Sequence, residues 1–212
     1  MTENIDAFGQ NSIRVRDGEK NIYIDPFQMK ISPNDADYIL ITHDHYDHYS
    51  PEDIDKVIGN HTILVVPEKM EGKTRKIADK FAKVVTVKPN ESYEVDGLQF
   101  ETVAAYNILK PFHPRSCEWV GYILKADGKR IYIAGDTDAT KEAKAVKCDI
   151  ALVPIGGTYT MDAKKAAEFI NEIEPKVAIP VHYGTAVGQP SDGRIFEENV
   201  KKTVKIEHKI RF

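Results

Sequence analysis

Short runs of β-branched, aromatic and aliphatic residues recur along the whole chain. Glycine, proline, asparagine or aspartate bounds most of these runs, which is the pattern of buried or half-buried β-strands. The predicted strands are residues 22–24, 38–42, 62–66, 84–87, 98–103, 119–124, 131–134, 150–153, 177–181 and 204–210. The pattern therefore predicts a β-rich core that uses the full length of the chain.

Helical signals lie between these strands. Ser50 precedes Pro51 and is followed three residues later by Asp53, a combination typical of a capped helix start. A second helix is predicted behind Asp162, where apolar residues recur at helical spacing. The predicted helices after the first are residues 68–81, 162–173 and 192–202.

The chain also contains a faint internal similarity. Residues 20–25 and residues 129–136 each place a turn before a Lys-x-Ile-Tyr-Ile strand and an aspartate after it. Two such halves, each a mixed sheet covered by helices, would pack sheet against sheet. With no low-complexity linker, residues 1–212 are interpreted as one domain. The predicted fold class is α/β (α+β), a four-layer αββα sandwich of two mixed β-sheets flanked by helices.

The composition is that of an ordinary globular protein. Of the 212 residues, 42% are hydrophobic and 29% are charged, which suffices for one sizeable core. The formal net charge of -4 predicts no broad attraction to nucleic acid or to anionic membranes. No apolar run approaches the roughly 20 residues that span a bilayer, so no membrane partner is expected.

The two cysteines, Cys117 and Cys148, lack a Cys-x-x-Cys spacing. They could form a disulfide, but two free thiols in a reducing compartment are the favoured interpretation. The first six residues are polar and acidic, unlike a secretory signal. These features together predict a cytoplasmic protein.

One six-residue segment concentrates side chains that bind metals. Residues 43–48 are His-Asp-His-Tyr-Asp-His, directly after the predicted strand 38–42. In an extended turn His43 and His45 can point the same way, while Asp47 and His48 diverge towards a second centre. The spacing therefore favours two metal ions over one. Imidazole and carboxylate without thiolate suit zinc, iron or manganese and leave room for a bound water.

Further donors occur near other predicted strands. Asp136 follows strand 131–134 after a glycine that lets the backbone turn. His182 follows strand 177–181, and His113 lies in the loop before strand 119–124. The remaining histidines, His61 and His208, have no ligand-like surroundings in the sequence and are expected on the surface.

Segments 43–48, 135–137 and 180–184, in this order, closely resemble the metallo-β-lactamase superfamily. The resemblance extends from Ile24-Asp25-Pro26 to His182 and implies the αββα fold and a metal-dependent hydrolase. Within the superfamily the chain looks like the compact branch of ascorbate-6-phosphate-lactonase-like hydrolases. The segments that suggest this branch are Ala105-Tyr106-Asn107, Trp119-Val120-Gly121-Tyr122 and Gly156-Gly157-Thr158.

The resemblance also implies a set of metal ligands. Two divalent ions are expected, zinc first, with manganese or iron as alternatives. The implied ligands are His43, His45 and a third histidine for the first metal, Asp47, His48 and His182 for the second, and Asp136 as the bridge.

The third histidine is where this chain departs from the superfamily pattern. That pattern has a histidine soon after the strand that here ends at Ala105, but Tyr106 and Asn107 occupy the place. His113 is the next histidine and is the favoured ligand. The alternative is a weakly held first metal completed by Asn107 or water, in which case the site could be mononuclear.

The implied chemistry is attack by a metal-activated water on a small ester, lactone, amide or phosphodiester. Two cations that share a water lower its pKa from about 16 towards 7. Asp47 is the predicted catalytic residue, because it could orient this water and later carry a proton to the leaving group. Partners that could orient the ligand imidazoles are Asp25, Thr42, Asp44 and Thr137.

The substrate is expected to be a small molecule. Lys110 and Arg115, in the loop before strand 119–124, could bind an anionic group on it. Tyr159 and Tyr183 could donate hydrogen bonds to a transition state, although such tyrosines are as often packed in the core. A homo-oligomer is a further possibility, because the chain is small and has edge strands.

Three other functions deserve comparison. A nucleic-acid-processing phosphodiesterase normally needs a basic surface or an added binding arm, and this acidic chain has little room for either. A diiron redox enzyme of this superfamily has a glutamate at the position of His45 and is commonly joined to a flavin-binding domain. Neither feature appears in this sequence. A non-catalytic metal-binding protein is disfavoured by the intact ligand set but stays open.

Overall fold

The computed structural model describes residues 1–212, whose strands form two β-sheets. The strands are β1 (Ile5–Gly9), β2 (Ser12–Asp17), β3 (Lys20–Ile24), β4 (Ala36–Leu40), β5 (Ile58–Pro67), β6 (Lys83–Val87), β7 (Ser92–Val95), β8 (Leu98–Ala104), β9 (Val120–Ala126), β10 (Lys129–Ile133), β11 (Ile150–Pro154), β12 (Val177–Val181) and β13 (Lys205–Ile206). The α-helices are α1 (Pro51–Val57), α2 (Glu71–Thr74), α3 (Lys141–Lys144), α4 (Ala163–Ile173) and α5 (Asp192–Asn199).

The two sheets share one topology, apart from the additional edge strand β7 in the second. The first has the order β1-β2-β3-β4-β5-β6 and the second β13-β12-β11-β10-β9-β8-β7. In the first sheet β2 and β3 pair antiparallel and β3 begins a parallel run through β6. In the second, β9 and β10 pair antiparallel and β10 begins a parallel run through β13. The similar segments 20–25 and 129–136 therefore occupy equivalent positions.

Alternating side chains place the core on both faces of the first sheet. On β4, Tyr38 and Leu40 join the large cluster that also contains Phe100 and Leu124 of the second sheet. The intervening Ile39 points to the opposite face and joins a second cluster with the apolar residues of α1. This alternation is the period of a strand buried on both faces. The helices α4 and α5 pack on each other over the second sheet. The predicted αββα sandwich is confirmed.

Helix α1 begins as the sequence predicts. The Ser50 side chain accepts a hydrogen bond from the backbone N–H of Asp53, and Pro51 occupies the first turn. The Asp53 carboxylate also accepts from the backbone N–H groups of Gln28 and Met29. These bonds fix the start of α1 immediately after segment 43–48, so the segment has a rigid anchor at each end.

Each of the ten predicted strand segments contains an observed strand, but the pattern misses β1, β2 and β7. The predicted helix 68–81 is wrong. The structure has a 3₁₀ turn at Glu68–Met70, the four-residue α2 and another 3₁₀ turn at Ala78–Lys80. Gly72 disfavours a long helix here by about 1 kcal/mol relative to alanine, although it lies within the short α2 itself. Burial of Met70 and Phe81 holds the segment without a continuous helix.

Two further predictions concern features outside the core. No helix combines the length and the apolar character that crossing a bilayer requires. Both cysteines, Cys117 and Cys148, are free, as the spacing predicts.

Candidate metal centre

The carboxyl ends of three parallel strands deliver most of the site. Segment 43–48 follows β4, Asp136 follows β10, and His182 directly follows β12. β4 belongs to the first sheet and β10 and β12 to the second, and the contacts of Asp136 with His48 and His182 show that all three carboxyl ends lie at one edge of the sandwich. His113 reaches the same place from the loop between β8 and β9, and it is fully buried.

These residues form two compact groups of donor atoms. Within each group the ligand atoms lie within 4.8 Å of one another. The first donor group is His43, His45, His113 and Asp136, and the second donor group is Asp47, His48 and His182. The structure thus brings together all seven residues that the sequence singles out, in the division that the resemblance implies.

His113 belongs to the first donor group by position. Its Nε2 lies 3.2 Å from Asp136 Oδ2, and His43 Nε2 lies 3.9 Å from the same oxygen. His45 Nδ1 lies 3.2 Å from His43 Nε2. The alternative donor Asn107 instead supports the His113 ring, since its Oδ1 lies 3.1 Å from His113 Nδ1. The donor that the sequence leaves ambiguous is therefore present in the first group.

Asp136 contacts both groups through different oxygens. Its Oδ2 faces His113, whereas its Oδ1 lies 3.3 Å from His48 Nε2 and 3.2 Å from His182 Nε2. The second donor group closes around these atoms, because His182 Nε2 is 3.3 Å from Asp47 Oδ2 and 3.2 Å from His48 Nε2. A single carboxylate thus lies between the two groups.

The donor positions fit cation binding. Tetrahedral zinc with Zn–N bonds of about 2.0–2.1 Å separates neighbouring donor atoms by about 3.3–3.4 Å. The contacts of 3.2 Å between His43 and His45 and between His48 and His182 are close to this separation. His113 Nε2 and Asp136 Oδ1 are also buried without a partner in hydrogen-bond geometry. Buried polar atoms rarely lack a hydrogen-bond partner. A bound cation would provide a partner for both of these atoms.

The imidazoles of His43 and His48 are held from behind. Thr42 Oγ1 lies 2.9 Å from His43 Nδ1, and Asp25 Oδ2 lies 2.7 Å from His48 Nδ1. Such contacts set the ring orientation and leave Nε2 facing the centre. Two of the four predicted supporting residues, Asp25 and Thr42, therefore contact ligand imidazoles.

The other two predicted supporting residues, Asp44 and Thr137, do not contact the ligand imidazoles. Asp44 forms an ion pair with Lys73. Thr137 Oγ1 accepts a hydrogen bond from the backbone N–H of Tyr106 and so fixes the loop that leads to His113. Both predictions fail because the side chains point away from the imidazoles, an orientation that spacing does not encode.

The protonation states favour cation binding at most positions. Burial, with the neighbouring imidazoles, lowers the pKa of His43 and His45 and keeps them neutral. Burial alone would raise the pKa of Asp47, but the hydrogen bond with His182 and the charge of His48 outweigh it and lower that pKa to about 2. Asp136 is likewise held ionised, because the charges of His182 and His48 outweigh burial and bring its pKa well below the usual value. Neutral imidazole and ionised carboxylate are the forms that bind metals.

His48 behaves differently. Burial would lower its pKa, but the carboxylates of Asp136 and Asp25 outweigh that effect and raise the pKa well above the usual value. A cation at this position would take over the role of the proton as the positive partner of the two carboxylates.

Sequence reasoning misses two residues in the turn between β1 and β2. Gln10 Nε2 donates to Asp47 Oδ2 at 3.0 Å, and the Gln10 carbonyl accepts from the backbone N–H of His182. Asn11 Nδ2 donates to Asp25 Oδ2. The signal was a Gly-Gln-Asn turn between two short runs of alternating apolar residues, 5–8 and 13–15.

Trp119 is named by the sequence only as part of a segment typical of the branch, and its contact with the ligands is visible only in the structure. Its ring packs against three imidazoles, with centroid distances of 5.0 Å to His43, 4.9 Å to His45 and 5.5 Å to His113. This indole forms an apolar wall behind the first donor group. It limits water there and restricts the rotation of all three rings.

The backbone at His182 adopts an uncommon conformation. His182 has a φ of 56°, which is rare for a residue with a side chain and clusters at functional sites. Gly156 makes this possible, because a Cβ at that position would overlap the His182 carbonyl oxygen. The glycine therefore allows the loop after β12 to close over the site.

A cavity of about 310 Å³ opens onto the centre. Its floor includes Asp47, Asp136 and His182, and Tyr159 forms part of its wall. Tyr183 is buried and points elsewhere, with its hydroxyl 3.4 Å from His208 Nδ1. Of the two tyrosines suggested by the sequence, only Tyr159 faces the cavity.

The remaining predictions concern charged and surface residues. Lys110 pairs with Asp138 at 2.6 Å and Arg115 with Glu142 at 2.8 Å, and neither cation lines the cavity. His61 and His208 are exposed, as the sequence predicts.

The chain is similar to known proteins both in sequence and in structure. The family model described as the Beta-lactamase superfamily domain matches residues 4–182. A UPF0173 metal-dependent hydrolase of Pyrococcus abyssi is 34% identical over 205 residues, which cover 90% of this chain and 89% of the relative.

Solved structures give the same result. A candidate metal-dependent hydrolase from Parabacteroides distasonis superposes with a TM-score of 0.81 at 29% identity, covering 98% of this chain and 93% of that one. CmlA, a diiron β-hydroxylase from Streptomyces venezuelae, has a TM-score of 0.76 at 14% identity over 98% of this chain and 52% of its own; this second likeness concerns the fold alone. The chain therefore belongs to the metallo-β-lactamase superfamily, and its curated relatives are named metal-dependent hydrolases.

Proposed function

We propose that the two donor groups bind two divalent cations with Asp136 between them, and that the protein hydrolyses a small ester, lactone, amide or phosphodiester. The observation that carries this proposal is the position of the Asp136 carboxylate, with one oxygen towards each group. Zinc is the first choice because imidazoles dominate both groups, and manganese and iron are the alternatives. When bound, such cations lower the pKa of a shared water and polarise the substrate oxygen.

Asp47 is the residue that we assign to proton transfer. It lies on the cavity floor, and Gln10 and His182 hold its Oδ2 from two sides. Its low pKa keeps it ionised at neutral pH, so it can accept a hydrogen bond from an attacking water and orient it. The same carboxylate can then pass a proton to the leaving group, and no serine or cysteine nucleophile is required.

Several finer assignments belong to this proposal. The lactonase-like branch, the cytoplasmic location and a homo-oligomeric state remain predictions from the sequence. A nucleic-acid substrate is disfavoured by the net charge of -4. A non-catalytic metal-binding protein is the second candidate, and hydrolysis assays decide between the two.

Replacing Asp47 with asparagine tests the hydrolytic function. We expect the metal-loaded protein to hydrolyse at least one class in a panel of 4-nitrophenyl esters, lactones and bis(4-nitrophenyl) phosphate. Asp47→Asn should lower kcat by about 100-fold, because the amide accepts a proton poorly. Steady-state kinetics measures kcat, and parallel metal analysis by mass spectrometry checks that the variant retains its metal.

The matched control is Asp44→Asn. Asp44 lies three residues earlier, but its carboxylate pairs with Lys73 rather than with the centre. Its kcat should stay within about twofold of the wild type. Metal-loaded protein that hydrolyses no substrate of the panel would favour the binding function, and equal rates for both variants would refute the role of Asp47.

Gln10→Ala tests the support of Asp47 by the β1–β2 turn. Removing the amide frees Asp47 Oδ2 and also leaves the Thr185 hydroxyl without its acceptor, Gln10 Oε1. Metal affinity should fall by about 10-fold, since residues that orient ligands are typically worth 10–100-fold. Competition with a fluorescent chelator measures the affinity. Gln99→Ala, an exposed strand position that pairs with Glu94, is the control, and an equal affinity in Gln10→Ala would contradict the role.

A further inference from the structure

The mouth of the cavity has aromatic walls on two sides. Phe112 and Tyr159 stack edge to face with a centroid distance of 4.7 Å on one side. Tyr46 forms the other side and is braced from behind by Phe27 at 5.9 Å. Val187, in the loop after β12, adds an aliphatic surface. These side chains surround the space above Asp47, Asp136 and His182.

The exposure of these rings is concentrated at this one opening. Tyr46 is 71% exposed, Phe112 41% and Tyr159 38%. Among exposed aromatic side chains only Phe212 lies outside the cavity. Large apolar groups grouped around a polar floor are typical of a ligand site rather than of ordinary surface.

The same mouth lacks positive side chains. No lysine or arginine lines the cavity, and its charged residues apart from histidine are Asp47 and Asp136. The nearby cations are engaged elsewhere. Lys110 Nζ lies 2.6 Å from Asp138 Oδ1 and also donates to the Thr160 carbonyl, while Arg115 pairs with Glu142. A phosphate or carboxylate on the outer part of a substrate would find no partner here and would lose its hydration.

We propose that the substrate of the centre is an uncharged acyl compound, an ester, lactone or amide, whose apolar acyl or aryl portion rests against Phe112, Tyr159 and Tyr46. This inference rests on the proposed hydrolytic function and adds the substrate class to it. The scissile carbonyl would lie over the floor, and the apolar portion would cover the aromatic walls and exclude water from the reacting atoms. The three aromatic residues then determine specificity, whereas the donor groups determine reactivity.

A pair of matched esters tests the charge preference. 4-Nitrophenyl butyrate and mono(4-nitrophenyl) succinate share the leaving group and have acyl chains of similar length, but only the succinate ends in a carboxylate. With metal-loaded protein the butyrate should have a kcat/KM at least about 10-fold higher, because the cavity offers the carboxylate no partner. Equal values, or a preference for the succinate, would overturn the inference while leaving the hydrolytic function intact.

The double variant Phe112→Ala/Tyr159→Ala tests the walls. KM for the butyrate should rise about 10-fold with kcat largely unchanged, since neither ring contacts the donor groups. Both side chains are partly exposed, so the fold should tolerate their loss. Leu109→Ala is the control, because Leu109 lies in the same loop and is 94% exposed but does not line the cavity. An unchanged KM in the double variant would argue against the walls.

A binding measurement keeps this test independent of turnover. 1-Phenylpentan-2-one has the shape of phenyl butyrate, with a CH2 group in place of the ester oxygen, so it cannot be hydrolysed and reports binding alone. Calorimetry should show binding to the metal-loaded wild type and a Kd about 10-fold higher in the double variant. Absence of binding would overturn the inference. Binding without hydrolysis of any substrate in the panel would instead support the apolar site and refute the proposed hydrolytic function.

Discussion

Asp136→Asn is expected to weaken metal binding at both donor groups by about 10²–10⁴-fold and to abolish most hydrolysis. The carboxylate is the only anion in contact with His113, and it also contacts His48 and His182. Removing one partner from a buried charged contact typically costs about 3–5 kcal/mol, and about 1.4 kcal/mol corresponds to each tenfold change in affinity. Both groups should respond, because both contact this carboxylate and the amide carries no negative charge towards either of them.

Metal titration distinguishes this outcome from a local defect. The wild type should bind two equivalents, and Asp136→Asn should show weak binding at both steps, not at one alone. Asp127→Asn is a suitable control, because this exposed carboxylate lies at the opposite end of the β9–β10 hairpin and pairs with Lys129. One equivalent retained at wild-type affinity would mean that Asp136 serves a single group, and the proposed bridging position would be wrong.

The sequence predicts the fold because its strongest signals are strands buried on both faces. Residues 150–153 and 177–181 are continuous apolar runs, and in the structure β11 and β12 pair in parallel within the second sheet. The weak strands β1, β2 and β7 escape prediction because charged residues interrupt their few apolar positions and several of their residues are only half-buried or exposed. Neighbouring strands and the facing sheet stabilise them, and a local pattern contains neither.

The candidate site shows the same division. Donors that directly follow strong strands, such as Asp136 and His182, can be found from the sequence alone. The roles of Gln10 and Trp119 cannot, because they come from contacts with Asp47 and His43 across the fold. Lys110 illustrates the opposite error. Its charge suggests an anion site, yet its pairing with Asp138 is visible only in three dimensions.

Asp25 occupies the position in the first half that Asp136 occupies in the second, but its partners differ. It follows β3, is fully buried, and accepts four hydrogen bonds. The donors are Asn11 Nδ2, the backbone N–H and hydroxyl of Thr42, and His48 Nδ1. The two similar strands thus end in carboxylates with different roles. Asp136, after β10, lies between the donor groups, whereas Asp25, after β3, supports the second donor group from behind.

Asp25→Ala should therefore reduce stability as well as metal affinity. The variant leaves buried donors on Asn11, Thr42 and His48 without an acceptor, and we expect the free energy of unfolding of the metal-free protein to fall by about 3–5 kcal/mol. Metal affinity at the second donor group should fall by a further 10–100-fold, because the His48 ring loses its orienting partner. Urea denaturation monitored by circular dichroism measures the first effect and chelator competition the second.

Two comparisons make the Asp25 prediction specific. Asp25→Asn retains one acceptor oxygen and should lose about half as much stability, whereas Asp37→Ala removes an exposed carboxylate that accepts only from Asn21 N–H and should cost no more than about 1 kcal/mol. If Asp25→Ala were no more destabilising than Asp37→Ala, the buried carboxylate could not be a principal support of the centre. If stability fell but the second metal bound with unchanged affinity, Asp25 would stabilise the fold without orienting His48. We expect Asp25→Ala to lower both the stability and the metal affinity, with Asp25→Asn intermediate in both. This result would show that a buried carboxylate of the first half of the chain orients His48 for a site that Asp136 and His182 of the second half complete.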